Sequence, residues 1–371
     1  MESNPSVIQY EFRVKVDRIR ALLEQYGLDA LLLRRISSFA WATCGAAAYV
    51  NTAASEGAAS LLITPKGRYL FTNNIEATRL AKEEKLVEQG WEFQVSPWHD
   101  EKDPLSELAG GMKLGSDGVF PGAVDLSGEL AWLRAQLTPE EIQRCRTLSK
   151  LCAEGMQQAL DAVRPGMTEY QIAGQLSQAV ESRGVQVIVN LIATDERIFS
   201  FRHPLPTHKP LQHYAMLILC GRKWGLVCSL TRFVYFGSLP SEVRRKAEAV
   251  AHVDATMIAT TRPGLKMSEV FRTAQAAYAA TGFADEWQLH HQGGLVGYEP
   301  REIIATPTST EPILVGQTYA WNPSITGTKS EDTILVGVHG NEILTEMADW
   351  PTTEVQVNDQ VIKRPAILEK D

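Results

Sequence analysis

The sequence has no long apolar segment and no block of like charge. Its most apolar runs, such as Tyr214 to Cys220, are far shorter than the roughly 20 residues that a membrane-spanning helix needs. No run contains five like charges, and the net charge of -8 argues against a basic surface for nucleic acid. The N-terminus, MESNPSVIQYEFRVKVDRIR, lacks the apolar core of a secretory signal. We therefore expect a cytoplasmic protein that binds neither membranes nor nucleic acids.

Cysteine is scarce, and several short catalytic motifs are missing. The five cysteines include no CxxC pair, which in a reducing cytosol indicates buried or idle thiols. The sequence contains no P-loop, no GxGxxG after a strand, no GxSxG nucleophile elbow and no HExxH pair. Ser229 stands on a predicted buried strand and is a poor candidate for a nucleophile. Any function must therefore be inferred from a longer arrangement of residues.

The chain is long enough for two hydrophobic cores. With 371 residues, 44% of them apolar and 22% charged, it has the length of two domains and the composition of a globular protein. Its first third alternates amphipathic helices, such as Glu11 to Tyr26, with short apolar strands, such as Ala58 to Thr64. Such alternation predicts a mixed sheet covered by helices, and hence an α/β (α+β) protein.

The start of a long helix marks the predicted domain boundary. Thr138 is a suitable N-cap, Pro139 suits the first turn, and Glu141 stands three residues after the cap, as in a capping box. The segment before this helix is loose and contains several glycines and prolines. We therefore predict an N-terminal domain at 1–137 and a C-terminal domain at 138–371.

The C-terminal domain contains an internal repeat. Residues 163–185 read VRPGMTEYQIAGQLSQAVESRGV, and residues 261–283 read TRPGLKMSEVFRTAQAAYAATGF. Each copy gives Arg-Pro-Gly, a capping Thr or Ser with a nearby acid, an amphipathic helix and a terminal glycine. Pro-Gly before a helix is common by itself, but matches this long and similarly ordered favour true repetition. The pattern predicts two similar halves about a pseudo-twofold axis.

The order of motifs along the chain resembles that of a known superfamily. The repeated Arg-Pro-Gly helices are followed by the stretch 202–207, the hairpin 215–237, the segment HHQGGLVGYEP and the stretch SEDTILV. This order resembles the pita-bread superfamily (peptidase family M24), in its branch of aminopeptidase P, prolidase and creatinase. The resemblance covers nearly the whole chain. It implies a creatinase-like N-terminal domain, a C-terminal pita-bread catalytic domain and a homodimer.

The resemblance also implies a set of metal ligands that this chain has mostly lost. Metallopeptidases of the family hold two metal ions with two aspartates, one histidine and two glutamates. Leucines stand at both aspartate positions, Leu219 and Leu230, and Asn322 stands at the first glutamate position. Only His291 and Glu331 remain as counterparts of the other ligands. Because leucine offers a divalent ion no donor atom, we predict that the chain has no metal site and no other cofactor.

The resemblance to creatinase implies that this fold can cleave a C–N bond without a metal ion. A histidine serves there as general acid and base, and the matching residue is His203. An imidazole with an ordinary pKa of about 6.5 can exchange a proton at neutral pH. The predicted catalytic residues are His203, His291 and Glu331. The predicted substrate-binding residues are Tyr298, Arg202, Arg232 and Asn322.

Three functions stay open at this point. The first is a metal-independent, creatinase-like hydrolase that cleaves an amide, amidine or peptide bond in a small molecule or short peptide. The second is a divergent Xaa-Pro peptidase that still uses metal, and the third is a non-catalytic module that binds peptides or proteins. Creatine itself is a poor specific substrate, because creatinase has a glutamate at the position of Thr231. Candidates for residues that a partner subunit supplies are Arg34, Arg35, Phe39 and Trp41.

Overall fold

The structure is a computed structural model that describes residues 5–100 and 104–371, with side chains from residue 10 onward. These residues form two compact units. The first extends to Arg134 and includes residues 224–226, and the second comprises residues 135–223 and 227–371. The division after Arg134 lies beside the predicted boundary at residue 137. The N-terminal segment in which the sequence predicts no secretory signal begins with residues 1–4, and these four lie outside the described residues.

The first unit is a mixed sheet with helices. Its elements are α1 (Pro5–Tyr26), β1 (Ala30–Arg35), α2 (Ile36–Ala42), β2 (Glu56–Ile63), β3 (Arg68–Asn73), α3 (Ala77–Lys82), β4 (Glu92–Ser96), α4 (Pro104–Ala109), β5 (Leu114–Ser116), β6 (Ala123–Asp125) and α5 (Ser127–Arg134). The strands follow the order β4-β3-β2-β1-β5-β6. Strands β2 and β3 form an antiparallel hairpin, whereas β5 pairs with β1 in parallel.

The central strand β1 carries much of the core of this unit. Ala30, Leu31, Leu32 and Leu33 are all fully buried, so the strand shows no alternation of apolar and polar residues. Strands β2 and β5 flank β1, and consecutive side chains point to opposite faces, so both faces of the sheet are covered at this strand. The predicted mixed α/β class is confirmed in this unit.

The second unit contains the internal repeat. Its elements are α6 (Pro139–Ala162), α7 (Glu169–Glu181), β7 (Gln186–Thr194), α8 (Glu196–Ser200), β8 (Tyr214–Lys223), β9 (Leu226–Phe236), α9 (Ser241–Thr260), α10 (Met267–Ala280), a 3₁₀ turn (Glu286–Leu289), β10 (Gly293–Val296), β11 (Ile303–Ile304), β12 (Thr318–Trp321), β13 (Ser324–Ile325), β14 (Thr328–Lys329), β15 (Asp332–Val336), β16 (Asn341–Ile343), β17 (Thr352–Val357), β18 (Gln360–Pro365) and β19 (Leu368–Lys370). Its two larger sheets have the orders β19-β9-β8-β7 and β11-β10-β12-β15-β16. Among the helices of the described residues, none is both long enough and apolar enough to cross a bilayer.

The two copies of the repeat form equivalent backbone contacts, which confirms the predicted pseudo-twofold relation. The N–H of Gly166 donates to the carbonyl of Leu211 at 2.8 Å, and the N–H of Gly264 donates to the carbonyl of Ile313 at 2.9 Å. Both glycines have a positive φ, 87° and 90°, which glycine adopts at no steric cost. Each Arg-Pro-Gly turn therefore anchors its helix pair to an extended segment that follows later in the chain.

The helix caps of the two copies differ. Thr168 caps α7, and its hydroxyl accepts the N–H of Gln171 at 3.2 Å. The second copy has Lys266 at the cap position, and the Glu269 carboxylate accepts the N–H of Lys266 at 2.7 Å. The predicted capping serine, Ser268, lies inside α10 instead. An acid at the third helical position thus satisfies the exposed backbone donor without a capping hydroxyl.

A buried ionic network links α9, β9, β15 and β18. Arg364 bonds the Asp254 carboxylate at 2.6 Å and the Asp332 carboxylate at 2.7 Å. Arg232 bonds Asp332 at 2.8 Å and the carbonyl of Thr345 at 2.9 Å. All four charged side chains are almost completely buried, so two arginines and two aspartates neutralise one another away from water. The network fixes the strands that carry the site described next.

Candidate active site

Three histidines meet in the second unit. His203 lies in the loop after α8, and His290 and His291 lie between the 3₁₀ turn and β10. The Nε2 atoms of His203 and His290 are 3.0 Å apart, and the rings of His290 and His291 stack with their centroids 4.3 Å apart. One ring nitrogen from each residue lies within 4.8 Å of the others. The structure therefore brings together the predicted residues His203 and His291, and adds His290.

Two glycines after the histidines allow the strands to come close at this point. A Cβ atom on Gly293 would lie 2.1 Å from the carbonyl oxygen of Ala320, and one on Gly294 would lie 2.1 Å from that of Ile303. No side chain fits at these distances. The N–H of Gly293 also donates to Nδ1 of His291 at 3.2 Å, which orients that imidazole. The glycines of this segment thus pack against neighbouring strands.

Glu331 is surrounded by cationic and hydroxyl groups. Lys329 Nζ lies 3.0 Å from Oε2 of Glu331, Arg301 Nη2 lies 3.1 Å from Oε1, and the Thr231 hydroxyl donates to Oε2 at 2.6 Å. Burial alone would raise the pKa of the Glu331 carboxyl, but the two cations outweigh burial and hold that pKa at about 2. Glu331 is therefore ionised and already bonded on both oxygens.

The same surroundings keep the imidazoles neutral. Burial, then the charge of Lys329, lowers the pKa of His290 to about 2. Burial, then the charge of Arg301, lowers the pKa of His291 to about 4. The pKa of His203, the exposed member of the group, is also lowered, first by burial and then by Lys329. All three rings are therefore neutral at pH 7, and His290 and His291 are too weakly basic to take up a proton there.

The residues present do not fit the pair of metal ions that the resemblance implies. Leu219 and Leu230, which the resemblance places at the positions of the two aspartates, are fully buried. Thr231 bonds Glu331 from the same strand as Leu230, so the Leu230 side chain points to the other face, and Ser229, whose Oγ lies 3.5 Å from Arg301, faces the site instead. The neighbouring Cys220 thiol points to Ser229, with 3.1 Å between Sγ and Oγ. Glu331 is committed to two cations, which would repel a divalent ion placed beside it. Among the described residues, the hairpin side chains that face Glu331 are thus Cys220 and Ser229, which are not the carboxylates that the family's pair of ions needs.

The predicted substrate-binding residues are engaged by other parts of the protein. The Tyr298 hydroxyl donates to Glu141 at 2.6 Å, and Arg232 belongs to the buried ionic network. Arg202 Nη2 bonds Glu286 at 2.5 Å. Asn322 is 2% exposed, and its side-chain oxygen has no protein partner among the described residues. The structure thus assigns framework contacts to the first three side chains, and their contact with substrate stays a prediction.

The candidates for a subunit-bridging role lie in the first unit. Phe39 and Trp41 are fully buried there, which leaves them no surface for a partner molecule. Arg34 bonds Glu56 at 2.5 Å, and its side chain is one-third exposed, at 33%. The structure therefore removes the two aromatic residues from this set and keeps the arginines.

Sequence reasoning missed Lys329, Arg301 and His290. A signal for Lys329 was present, because residues two apart on an extended segment point the same way and Lys329 stands two residues before Glu331. His290 stands beside His291 in the quoted segment, but nothing in the sequence shows that its ring meets His203. Arg301 is separated from Glu331 by 30 positions, so their contact depends on the fold.

A small pocket lies beside the histidines. Its cavity volume is about 10 Å³, room for about one water molecule, and it is lined by Ile198, Phe201, Arg202, Met216, His290, Ser324, Thr328 and Lys329. Its walls thus combine apolar side chains with an imidazole and an ammonium group. A wider surface groove lies elsewhere on the second unit and is lined by residues such as Glu154, Asp161 and Lys363.

Known proteins resemble the chain over nearly its whole length. Residues 143–340 match the family model of metallopeptidase family M24, and residues 15–135 match that of the creatinase/prolidase N-terminal domain. An uncharacterized peptidase of Staphylococcus aureus is 22% identical over 236 residues, which cover 60% of this chain and 66% of the relative. That share is just under two thirds of the relative's length.

Solved structures share the fold at low sequence identity. An Xaa-Pro dipeptidase from Bacillus anthracis has a TM-score of 0.78 at 18% identity, over 97% of this chain and 100% of that chain. The prolidase of Pyrococcus horikoshii has a TM-score of 0.77 at 18% identity, over 90% and 98% of the two chains. The N-terminal domain of the FACT complex subunit SPT16 from chickpea has a TM-score of 0.71 at 11% identity, over 92% and 97%.

Proposed function

Since the chain belongs to metallopeptidase family M24, we propose that it is a hydrolase that cleaves a C–N bond in a small substrate without the metal pair of that family. The observation that supports this proposal most directly is the pair of neutral imidazoles with 3.0 Å between the Nε2 atoms of His203 and His290. This pair lies beside an ionised carboxylate and two fixed cations. The site therefore contains a proton acceptor and positive charge from the chain's own residues.

His203 moves the proton in this scheme. When His203 Nε2–H donates to Nε2 of His290, Nδ1 of His203 keeps its lone pair and accepts a proton from water. The resulting hydroxide adds to the carbon of the C–N group, and His203 then returns the proton to the leaving nitrogen as the C–N bond breaks. The hydrogen bond to His290 strengthens while His203 is charged, because a cationic donor bonds a neutral acceptor more tightly. His290 thus positions His203 through all steps.

The substrate in this proposal is a small molecule or a short peptide. Xaa-Pro dipeptides are the first compounds to test, because structural neighbours are an Xaa-Pro dipeptidase and a prolidase. We also expect a homodimer, and the molar mass in solution tests that expectation.

A second candidate function is binding without turnover. The fold also occurs in the N-terminal domain of a subunit of the FACT complex, at a TM-score of 0.71. A module of this kind would bind peptides or proteins, and substitution of His203 would then change no rate. Turnover of any compound on the panel described next separates the two functions.

Metal content and chelator sensitivity test the proposal. We expect the purified protein to contain less than one tightly held divalent ion per chain, since the site lacks the carboxylates that bind one. Turnover is then expected to be the same with and without EDTA on a panel of Xaa-Pro dipeptides, N-acyl amino acids, amino-acid amides and guanidino compounds. Elemental analysis and rates measured after chelation provide the two readouts.

A bound metal pair, or activity that depends on metal, would contradict the proposal. Two tightly held ions per chain, or activity that EDTA abolishes and Mn²⁺ or Co²⁺ restores, would contradict the metal-free scheme and favour a divergent metal-dependent Xaa-Pro peptidase. Prolidase assayed in parallel serves as the positive control for chelation. A panel without any turnover, together with measurable peptide binding, would favour the binding module.

A further inference from the structure

The two cations beside Glu331 have a role that the proton-transfer scheme leaves open. We propose that Lys329, supported by Arg301, is the electrophilic group of the site and binds the carbonyl oxygen of an amide or peptide substrate and the oxyanion formed from it. This inference rests on the proposed function and adds the group that stabilises the negative charge. It also narrows the substrate class to compounds with a carbonyl at the scissile C–N bond.

The first support is the geometry of Lys329. Its ammonium carries three N–H donors, and Glu331 takes one at 3.0 Å. The side chain is 6% exposed, and it lines the same small pocket as His290. The charge of Lys329 acts on His203 as well as on His290, so its ammonium lies near both rings. Lys329 is therefore placed both to bind substrate and to stay fixed.

The second support is the charge of the site. Lys329 and Arg301 both bond Glu331, so within the described part of the chain these two cations share one carboxylate and leave an excess of one positive charge. The third cation near the pocket, Arg202, is matched by Glu286. Burial lowers the pKa values of His290 and His291 most, and the charge of Lys329 lowers both further. Such a site favours an entering anion.

The excess positive charge of the site also argues against a divalent metal ion as its occupant. One nitrogen from each histidine lies within 4.8 Å of the others, an arrangement that by itself suits a divalent transition metal. A divalent cation would enter a site that already has excess positive charge, whereas a developing oxyanion would neutralise it. The observations therefore favour an anion over a metal ion at this position.

The third support is a set of polar atoms that the protein leaves unbonded at the pocket. Ser324 is 2% exposed and lines the pocket, and across the described ranges its hydroxyl finds no hydrogen-bond partner. Nδ1 of His290 is likewise without a protein partner there. Buried polar groups are normally hydrogen-bonded, so these two atoms point to a polar ligand.

The reaction balances with water as the only co-reactant. His203 takes one proton from water, and the hydroxide forms a bond to the carbonyl carbon. The C=O π electrons move to oxygen, which becomes an oxyanion beside Lys329. Collapse of this intermediate restores the C=O bond and breaks the C–N bond, and His203 gives its proton to the leaving nitrogen. The products are a carboxylic acid and an amine.

Anion binding tests the inference without turnover. The probe is methylphosphonate, a small tetrahedral anion, titrated into the full chain while the histidine imidazole signals are followed by NMR. We expect saturable shifts at His290 in the wild type and at least tenfold weaker binding in Lys329→Met. Lys246→Met is the matched control, because Lys246 is a partly buried lysine that bonds the carbonyl of Thr326 at 3.1 Å. Its binding is expected to equal that of the wild type.

Two further variants keep the test decisive if Lys329→Met folds poorly. Glu331→Gln leaves both cations and removes their carboxylate, so we expect methylphosphonate to bind more tightly. The double variant Lys329→Met/Glu331→Gln removes a matched pair of charges, and we expect it to lose the tighter binding. A purely structural ion pair would instead give equal binding in the wild type, Glu331→Gln and the double variant.

Kinetics provides the second readout. On any carbonyl substrate found, Lys329→Met is expected to lower kcat by about 10²–10³-fold with a smaller change in KM, since removing one oxyanion donor has an effect of this size. Lys329→Arg is expected to recover part of the rate. No methylphosphonate binding by the wild type, or unchanged binding in Lys329→Met, would overturn the inference. Anion binding without any turnover would instead contradict the proposed function and leave this anion site standing.

Discussion

Replacement of His203 by alanine is expected to lower kcat by about 10²–10⁴-fold on any substrate that the protein turns over, the range found when a general acid–base group is removed. The reason is that His203 is the exposed member of the histidine group and its Nε2 lies 3.0 Å from Nε2 of His290. Steady-state rates at saturating substrate measure the effect. KM is expected to change little, because His203 moves protons in the scheme and does not anchor the substrate.

His208 provides the control for this prediction. It lies in the same loop, is exposed, and packs edge-on against Tyr170 with 4.9 Å between ring centroids. His208→Ala is therefore expected to leave kcat within about twofold of the wild type, since a surface substitution away from the site has little effect. Equal rates in His203→Ala and the wild type would remove the proton-transfer role.

The pH profile supplies an independent readout of the same assignment. The active form of His203 is neutral, and burial together with the charge of Lys329 lowers its pKa. We expect kcat/KM to be level around pH 7 and to decline only in more acid solution, below the ordinary histidine value of about 6.5. In Lys329→Met the acid limb is expected to move to higher pH. An acid limb in the wild type above pH 7 would contradict the assignment.

Replacement of Arg364 by alanine is expected to lower the free energy of unfolding by about 3–5 kcal/mol, the typical cost of removing one partner from a buried ion pair. Arg364 is fully buried and bonds both Asp254 and Asp332, so its loss leaves two carboxylates in the interior without their cation. Chemical denaturation at pH 7, monitored by circular dichroism, measures the change.

Arg244 is the matched control for Arg364. It bonds Glu369 at 2.7 Å, but the two side chains are 50% and 40% exposed. Arg244→Ala is therefore expected to cost no more than about 1 kcal/mol, since water and salt screen exposed pairs. A small effect of Arg364→Ala would show that the network rearranges or admits water. In Asp254→Asn/Arg364→Met one matched pair is removed, and we expect a smaller loss than in Arg364→Ala.

Local patterns predicted a large part of the fold. The capping box of α6 is present as predicted, because Thr138 and Glu141 bond each other's backbone N–H at 3.3 and 2.7 Å. The repeat was recognisable because each copy needs glycine at one turn. The cap of α10 was predicted wrongly, since the sequence does not show whether Ser268 lies before or inside the helix. Capping boxes and repeated turns depend on residues a few positions apart, so they can be recognised in the sequence itself.

Predictions for the site residues were less complete. His203 and His291 were found through the order of motifs, and both lie in the histidine group. Tyr298 was also selected, but its hydroxyl is bonded to Glu141, 157 positions earlier in the chain. Polar residues at a site and polar residues that satisfy a buried partner look alike in a sequence. Only the three-dimensional contact tells them apart.

The sequence by itself determined the fold family and predicted the loss of the metal ligands, because both depend on which residue types stand at ordered positions. Leucine at 219 and 230 has no donor atom in any conformation. Only the tertiary structure decided the charge of the site. It brings Arg301 to Glu331 across 30 positions and His203 to His290 across 87, and electrostatic interactions depend on distance in space.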